Sequence, residues 1–230
     1  MPADTSFQPL FDAELQVDDT ELTAMVRRGE VVVDDRDVAV LRHRNRIALA
    51  LGPTRRLHDD KATADHAVHW DISLLCVLHP SPGCTFRSAR LTVDLRPTEA
   101  AVVRDMSPRE VRGEHPVEIT TTVGAGLTFS VVPALLEVDA RREQATTRSV
   151  YQPTIVSSGR GFARAFWDFR STGRDELQPD RELRLLVESP AEVPLLARFN
   201  LTARVSIDGA GKLVPLLRRR AEIDETYQLA

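Results

Sequence analysis

The chain is short of cysteine, lysine and aromatic residues, and each shortage excludes a class of protein. Two cysteines in 230 residues, Cys76 and Cys84, cannot build a disulfide framework, and their C-x7-C spacing is not that of a zinc knuckle. Nowhere does an uninterrupted apolar run approach the roughly 18–20 residues that a spanning helix requires. The first residues, MPADTSFQPL, do not join a basic stretch to an apolar core, so a cytoplasmic location is the expectation. Aromatics make up 5% of the chain. None is interleaved with the arginine clusters at 42–46, 55–56 and 218–220, as the stacking platforms of single-stranded nucleic-acid binders are. With 30 basic against 34 acidic residues and a net charge of −4, no overall field draws the chain to nucleic acid, and no specific nucleic-acid partner is expected. Lys61 and Lys212 are the only lysines, so the basic side chains are almost all guanidinium groups, which pair with carboxylate and phosphate in a planar fork.

Catalytic motifs are equally scarce. The chain has no G-x-S-x-G elbow and no H-E-x-x-H pair. Gly209-Ala210-Gly211-Lys212 lacks the Ser or Thr that follows the lysine of a phosphate loop, and its flanks read strand–turn–strand. Ser157-Ser158-Gly159-Arg160-Gly161 reads as a turn ahead of a strand. No cofactor is expected.

What the sequence has in plenty is period-two alternation, which sends successive side chains to opposite faces of a sheet. Even positions from Val68 to Leu78 are apolar, and the odd positions Ala89, Leu91, Val93 and Leu95 follow beyond a Pro-Gly turn. Val117, Ile119, Val123, Leu127, Phe129 and Val131 alternate, interrupted at Gly124-Ala125-Gly126. Ala163 to Phe169, Leu183 to Val187 and Leu195 to Ile207 do the same, and a further strand runs from Leu213 to Leu217. Asp18-Asp19-Thr20 caps a short helix with Leu22, Met25 and Val26 on one stripe and Gly29 as its stop. The expected fold is all-β or β-rich: an antiparallel two-layer sandwich or open barrel with a small mixed α/β N-terminal segment. Residues 1–60 form that segment or an edge layer, 66–217 the sandwich, and 218–230 a tail or short helix. Gly52 to Ala67 reads as a linker and Glu99 to His115 as a connection. Trp70, Trp167, Phe129, Phe169 and Phe199 are the expected core aromatics.

By elimination, the expected function is a non-enzymatic protein-interaction or assembly module whose partner is another protein. Sheet edges offer pairing sites for a partner or for a second copy of the chain, and Arg164, Arg170, Arg198 and Arg204 lie on strand faces suited to acidic groups. Two alternatives stand beside it. Runs 68–79, 85–96 and 195–207 are long enough to cross a bilayer as amphipathic strands, which describes a membrane-acting β protein. His66, His69 and Asp71 are close enough in sequence to share a metal in a metal-dependent hydrolase. His79 has the right parity, but it lies about 33 Å along the strand from His69 at roughly 3.3 Å per residue. Cys76 and Cys84 belong to sets of opposite parity, so a disulfide between them requires a bulge.

Overall fold

The computed structural model describes residues 7–30, 45–57, 67–122, 126–130, 145–171, 177, 182–207, 213–218 and 220–230. In these, the alternating pattern becomes Gln8–Val17 (β1), Arg46–Leu57 (β2), Ala67–His79 (β3), Cys84–Asp94 (β4), Val102–Ser107 (β5), Glu110–Thr122 (β6) and Gly126–Ser130 (β7). The strands continue with Ala145–Ser158 (β8), Arg164–Arg170 (β9), Glu182–Pro190 (β10), Leu196–Ile207 (β11), Leu213–Arg218 (β12) and Thr226–Gln228 (β13). Two short helices, Asp19–Arg27 (α1) and Arg220–Ile223 (α2), accompany them.

Every ladder among the described residues is antiparallel, in the order β5-β10-β3-β2-β1-β12-β11-β4-β9-β8-β6-β7, with β13 added to β11. Strand β1 turns this sheet from one layer into the other. Its residues Gln8 to Glu14 pair with β2, and Leu15 to Val17 pair with β12. On the opposite side the gap is narrowed by the β8–β9 turn. The Val103 N–H donates to the Phe162 carbonyl at 3.0 Å, and the Gly161 N–H to the Val103 carbonyl at 2.7 Å. The result is an all-β, two-layer body nearly closed into a barrel, the class that the alternation predicts.

The core lies between the layers, filled by the inward residues of alternate positions. Ile72, Leu74 and Cys76 of β3 and Leu183, Leu185 and Val187 of β10 belong to the same buried cluster as Leu91, Val93, Phe199, Leu201 and Val205 of the other layer. Trp167, Phe169 and Phe199 are fully buried, as expected. Trp70 is only half-buried and packs at the core margin, where its indole N–H donates to Ser189 Oγ at 3.1 Å, a bond that offsets the loss of water at that nitrogen. The Phe129 side chain lies outside the described residues.

Several local expectations change, each for a physical reason. The ladder between β11 and β4 skips Arg87, pairing Arg204 with Ser88 and Val205 with Phe86. That bulge reverses parity, so Cys84 and Phe86 point inward with Leu91 instead of outward. Cys76 and Cys84 are both buried thiols. β2 continues through Gly52-Pro53 to Leu57, because a register shift between Leu51 and Thr54 takes up the irregularity; the first part of the expected linker is therefore strand. β1 and β2 stand mid-order in the sheet. Residues 102–107, read as connection, form β5, and β8 arises from a polar, Pro-containing stretch with weak alternation. In α1, the Glu21 N–H donates to Asp18 Oδ1 at 3.0 Å as an N-cap, and Gly29 ends the helix at φ +72. Met25 is buried, but Val26 is 53% exposed and leaves the expected stripe. The tail forms the single turn α2 and then β13. Gly124-Ala125 and Gly209-Ala210-Gly211-Lys212 lie outside the described residues.

Candidate functional site

The arginine-bearing faces of 163–170 and 195–207 prove to be one surface, because β4 lies between β9 and β11 and registers both. Four cross-strand rows result: Arg164–Asp94–Arg198, Phe166–Thr92–Asn200, Asp168–Arg90–Thr202 and Arg170–Ser88–Arg204. Strands stand about 4.8 Å apart, so the outer members of a row are roughly 10 Å apart at Cα. On this outward face Arg90, Arg164, Arg170, Arg198 and Arg204 face two aspartates, Asp94 and Asp168. A cationic surface thus sits on a chain of net charge −4.

The four sequence-predicted arginines divide between two concavities on it. Arg170 and Arg204 line a groove of about 700 Å³ together with Arg87, Arg90, Asp168 and Glu21. There Arg90 is fixed. Its guanidinium grips Asp168 through two hydrogen bonds of 2.6 and 2.7 Å and lies 4.2 Å from the Phe166 ring centroid. The Asp168 hydrogen bonds push the Arg90 pKa up. Arg204 donates to Glu21 Oε1 at 3.2 Å, tying α1 to the sheet. Arg170 makes no hydrogen bond or ion pair among the described residues.

Arg164 and Arg198 line a smaller cleft of about 120 Å³ with Asp94, Arg96, Asn200 and Asp224. Asp94 is taken up by Arg96, whose backbone N–H donates at 3.1 Å and whose Nε donates at 2.8 and 3.0 Å to the two carboxylate oxygens, with a further contact from its terminal nitrogen. These bonds hold the Asp94 carboxyl below the usual range, with the nearby Arg164 charge assisting. Arg198 donates to Thr226 Oγ1 at 3.3 Å. Sequence reasoning missed Arg96 and Asn200. Arg96 lies just beyond the end of a strand, and Asn200 looks like any outward polar residue until the cleft closes around it.

The expected metal residues are placed differently. His66 lies outside the described residues. His69 Nε2 and Glu188 Oε2 are 3.1 Å apart, and Arg104 donates to both oxygens of Glu188 at 2.8 and 2.6 Å. Asp71 accepts from Arg184 at 2.9 Å. Both residues therefore face charged partners on β10 across the outer face of the other layer. Among the described residues, no group of three or more His, Cys, Asp or Glu side chains gathers where it could hold a metal ion.

No family model matches the chain, and no curated protein matches it. Among solved structures it is similar to Clostridium perfringens delta-toxin, at 12% identity and a TM-score of 0.37 over 80% of this chain and 82% of that one. So distant a likeness carries no argument about this chain. Among the described residues, no helix is long and apolar enough to cross a membrane.

Proposed function

We propose that the chain acts on membranes, presenting the β6–β8 segment to a bilayer as an amphipathic hairpin. The observation that carries this reading is the segment's position. β6 and β8 run 13 and 14 residues, more than the roughly 9–11 that a tilted bilayer-crossing strand needs. They pair with each other from Glu110↔Val156 to Thr122↔Ala145, and β7 adds to the far side of β6. Their ladder to the rest of the sheet is short, from Ile155↔Phe169 to Ser158↔Phe166. The runs 68–79, 85–96 and 195–207 are placed otherwise: β3, β4 and β11 are flanked on both sides, with their apolar faces in the core. Releasing any of them would dismantle the sandwich; releasing the β6–β8 segment would break the short β8–β9 ladder and withdraw Ile155 and Val111 from the core cluster.

Composition supports the same choice. Positions 119–136 contain no charged residue in a chain that is 28% charged. Across the ladders Val117 stands opposite Val150, Ile119 stands between Phe129 and Arg148, and Thr120 stands between Thr128 and Thr147. The rows at 117 and 119 carry Val117, Val150, Ile119 and Phe129 with Arg148 as their one charged member, and the row at 120 is all threonine, an alternation that suits a wall with lipid on one side and water on the other. A lone hairpin would leave unpaired edges in lipid, so the reading requires several copies to close a barrel. The protein partner expected from the sequence is then a second copy of this chain.

Dye release from loaded vesicles tests the proposal. The full chain should release dye, and a Phe129→Arg variant that still melts cooperatively should release at least tenfold less, since Arg at a bilayer midplane costs about 2–4 kcal/mol per copy. Intact protein that releases nothing from zwitterionic, anionic or sterol-containing vesicles overturns it, as does a Phe129→Arg variant that matches the wild type.

A further inference from the structure

Four arginines stand at the corners of the outer face of β4, β9 and β11: Arg164 and Arg170 on β9, Arg198 and Arg204 on β11. Across the strands the corners are roughly 10 Å apart at Cα, and along each strand about 20 Å, six residues at roughly 3.3 Å each. Most carboxylates of this face are already taken up. Arg90 grips Asp168, Arg96 grips Asp94, Glu21 is shared by Arg28 and Arg204, and Asp18 caps α1. Asp224, exposed, is the other carboxylate bordering the two concavities. The charge left over is positive. Arg164 and Arg170 make no hydrogen bond or ion pair among the described residues, and Arg198 keeps only its 3.3 Å bond to Thr226. On the outer face of the other layer, Arg46, Arg104, Arg109 and Arg184 are each paired with a carboxylate.

Four guanidinium groups spread over such a rectangle cannot converge on one small oxyanion. They suit a partner that carries several negative charges over a plane. Each short side of the rectangle also flanks a concavity: Arg164 and Arg198 border the smaller cleft, Arg170 and Arg204 the larger groove. We propose that this face lays the chain on an anionic lipid surface, with Arg164, Arg170 and Arg198 contacting the phosphate and carboxylate groups of separate headgroups. The inference deepens the membrane reading and rests on its premise of a lipid target. β8 is the next strand of the same sheet beyond β9, and its residues before Ile155 run past the Arg170 end of β9. A chain lying on this face therefore brings the β6–β8 segment to the bilayer. Nucleic acid also carries repeated phosphates, but Phe166, the aromatic residue of these rows, lies under Arg90 and offers no stacking platform.

Flotation of the full chain with phosphatidylcholine vesicles, with and without phosphatidylserine, tests it. The chain should float with the phosphatidylserine-containing vesicles, stay behind with phosphatidylcholine alone, and detach as salt is raised. At about fivefold per arginine, the Arg164→Gln, Arg170→Gln, Arg198→Gln triple variant should bind on the order of a hundredfold more weakly. All three side chains are exposed. The Arg55→Gln, Arg56→Gln double variant, which removes exposed charge from β2 in the other layer, should bind like the wild type. Equal binding to both vesicle types, no binding to either, or an equal loss in the two variants overturns the proposal, as does duplex DNA bound as tightly as the anionic vesicles. If the triple variant does not fold, Arg170→Gln alone decides, and binding equal to the wild type overturns it. Dye release separates this face from the hairpin. Flotation with anionic vesicles but no release from any vesicle overturns the hairpin and leaves the face; release that is equal from zwitterionic and anionic vesicles leaves the hairpin and overturns the face.

Discussion

Arg218 shows how much one residue organises. It is 1% exposed, and its guanidinium lies 3.6 Å from the Phe11 ring centroid. It donates to the Phe199 carbonyl at 3.2 Å, the Tyr227 hydroxyl at 2.8 Å and Glu225 at 3.3 Å. Glu222 stands 3.5 Å from its Nε, within ion-pair range but without a hydrogen bond. Phe11, Phe199 and Tyr227 form a tilted aromatic cluster around it, with centroids 5.8 to 6.5 Å apart. One buried cation thus binds β1, β11, β12 and the C-terminal strand together. Arg218→Ala should destabilise the protein by about 3 kcal/mol, because removing one member of a buried charged network leaves its partners unpaired and a cavity between the rings. Arg218→Met, which still fills the aromatic space, should lose less in a urea titration; equal losses would show that the packing contributes nothing. The sequence marks Arg218 only as part of a basic run, and burial of its charge emerges from contacts between residues far apart in the chain.

Strands and turns place their own demands. Gly159 ends β8 at φ +116, and a Cβ there would lie 2.4 Å from the Ala165 Cα and 2.5 Å from the Arg164 carbonyl oxygen. A side chain is excluded twice, by conformation and by the backbone of β9. Gly159→Ala should therefore lower stability by at least about 1–3 kcal/mol, read as a drop in melting temperature, whereas Gly161→Ala, at φ +84 with open space around it, should lose less. The β8–β9 turn was legible from its Ser-Ser-Gly-Arg-Gly composition, but its role in narrowing the barrel was not. β5 and β8 escaped the sequence because their neighbours, β10 and β6, supply the pairing that weak alternation does not advertise. The Arg87 bulge is of the same kind: parity predicts a face only while the ladder stays regular.

At the scale of the whole molecule, ion pairs on the outer faces couple stability to pH. Arg96 holds Asp94, Arg109 holds Asp105, and Arg104, with His69, holds Glu188, each carboxyl below its usual range by hydrogen bonding to the guanidinium. Because these folded-state values are depressed, their contribution is complete above the ordinary carboxylate range, near about 4, and is lost as pH falls through the folded values. The urea midpoint should stay level from neutrality to about pH 5 and then fall. Glu188→Gln should make that fall shallower, and a midpoint that rises on acidification would contradict the assignment.

Alternation at 68–79, 85–96 and 195–207 determined by itself that the chain forms antiparallel sheet with buried aromatics, because a two-residue period sorts side chains to faces without reference to the rest of the fold. It also placed four arginines on outward faces. Only tertiary structure decided that β4 would join those faces into one surface, that Asn200 would be enclosed beside Arg164 and Arg198, and that the β6–β8 segment would hang at one end of the sheet. Those outcomes depend on strand order and register, which are set by long-range pairing and the closing of the core, and no local pattern encodes them.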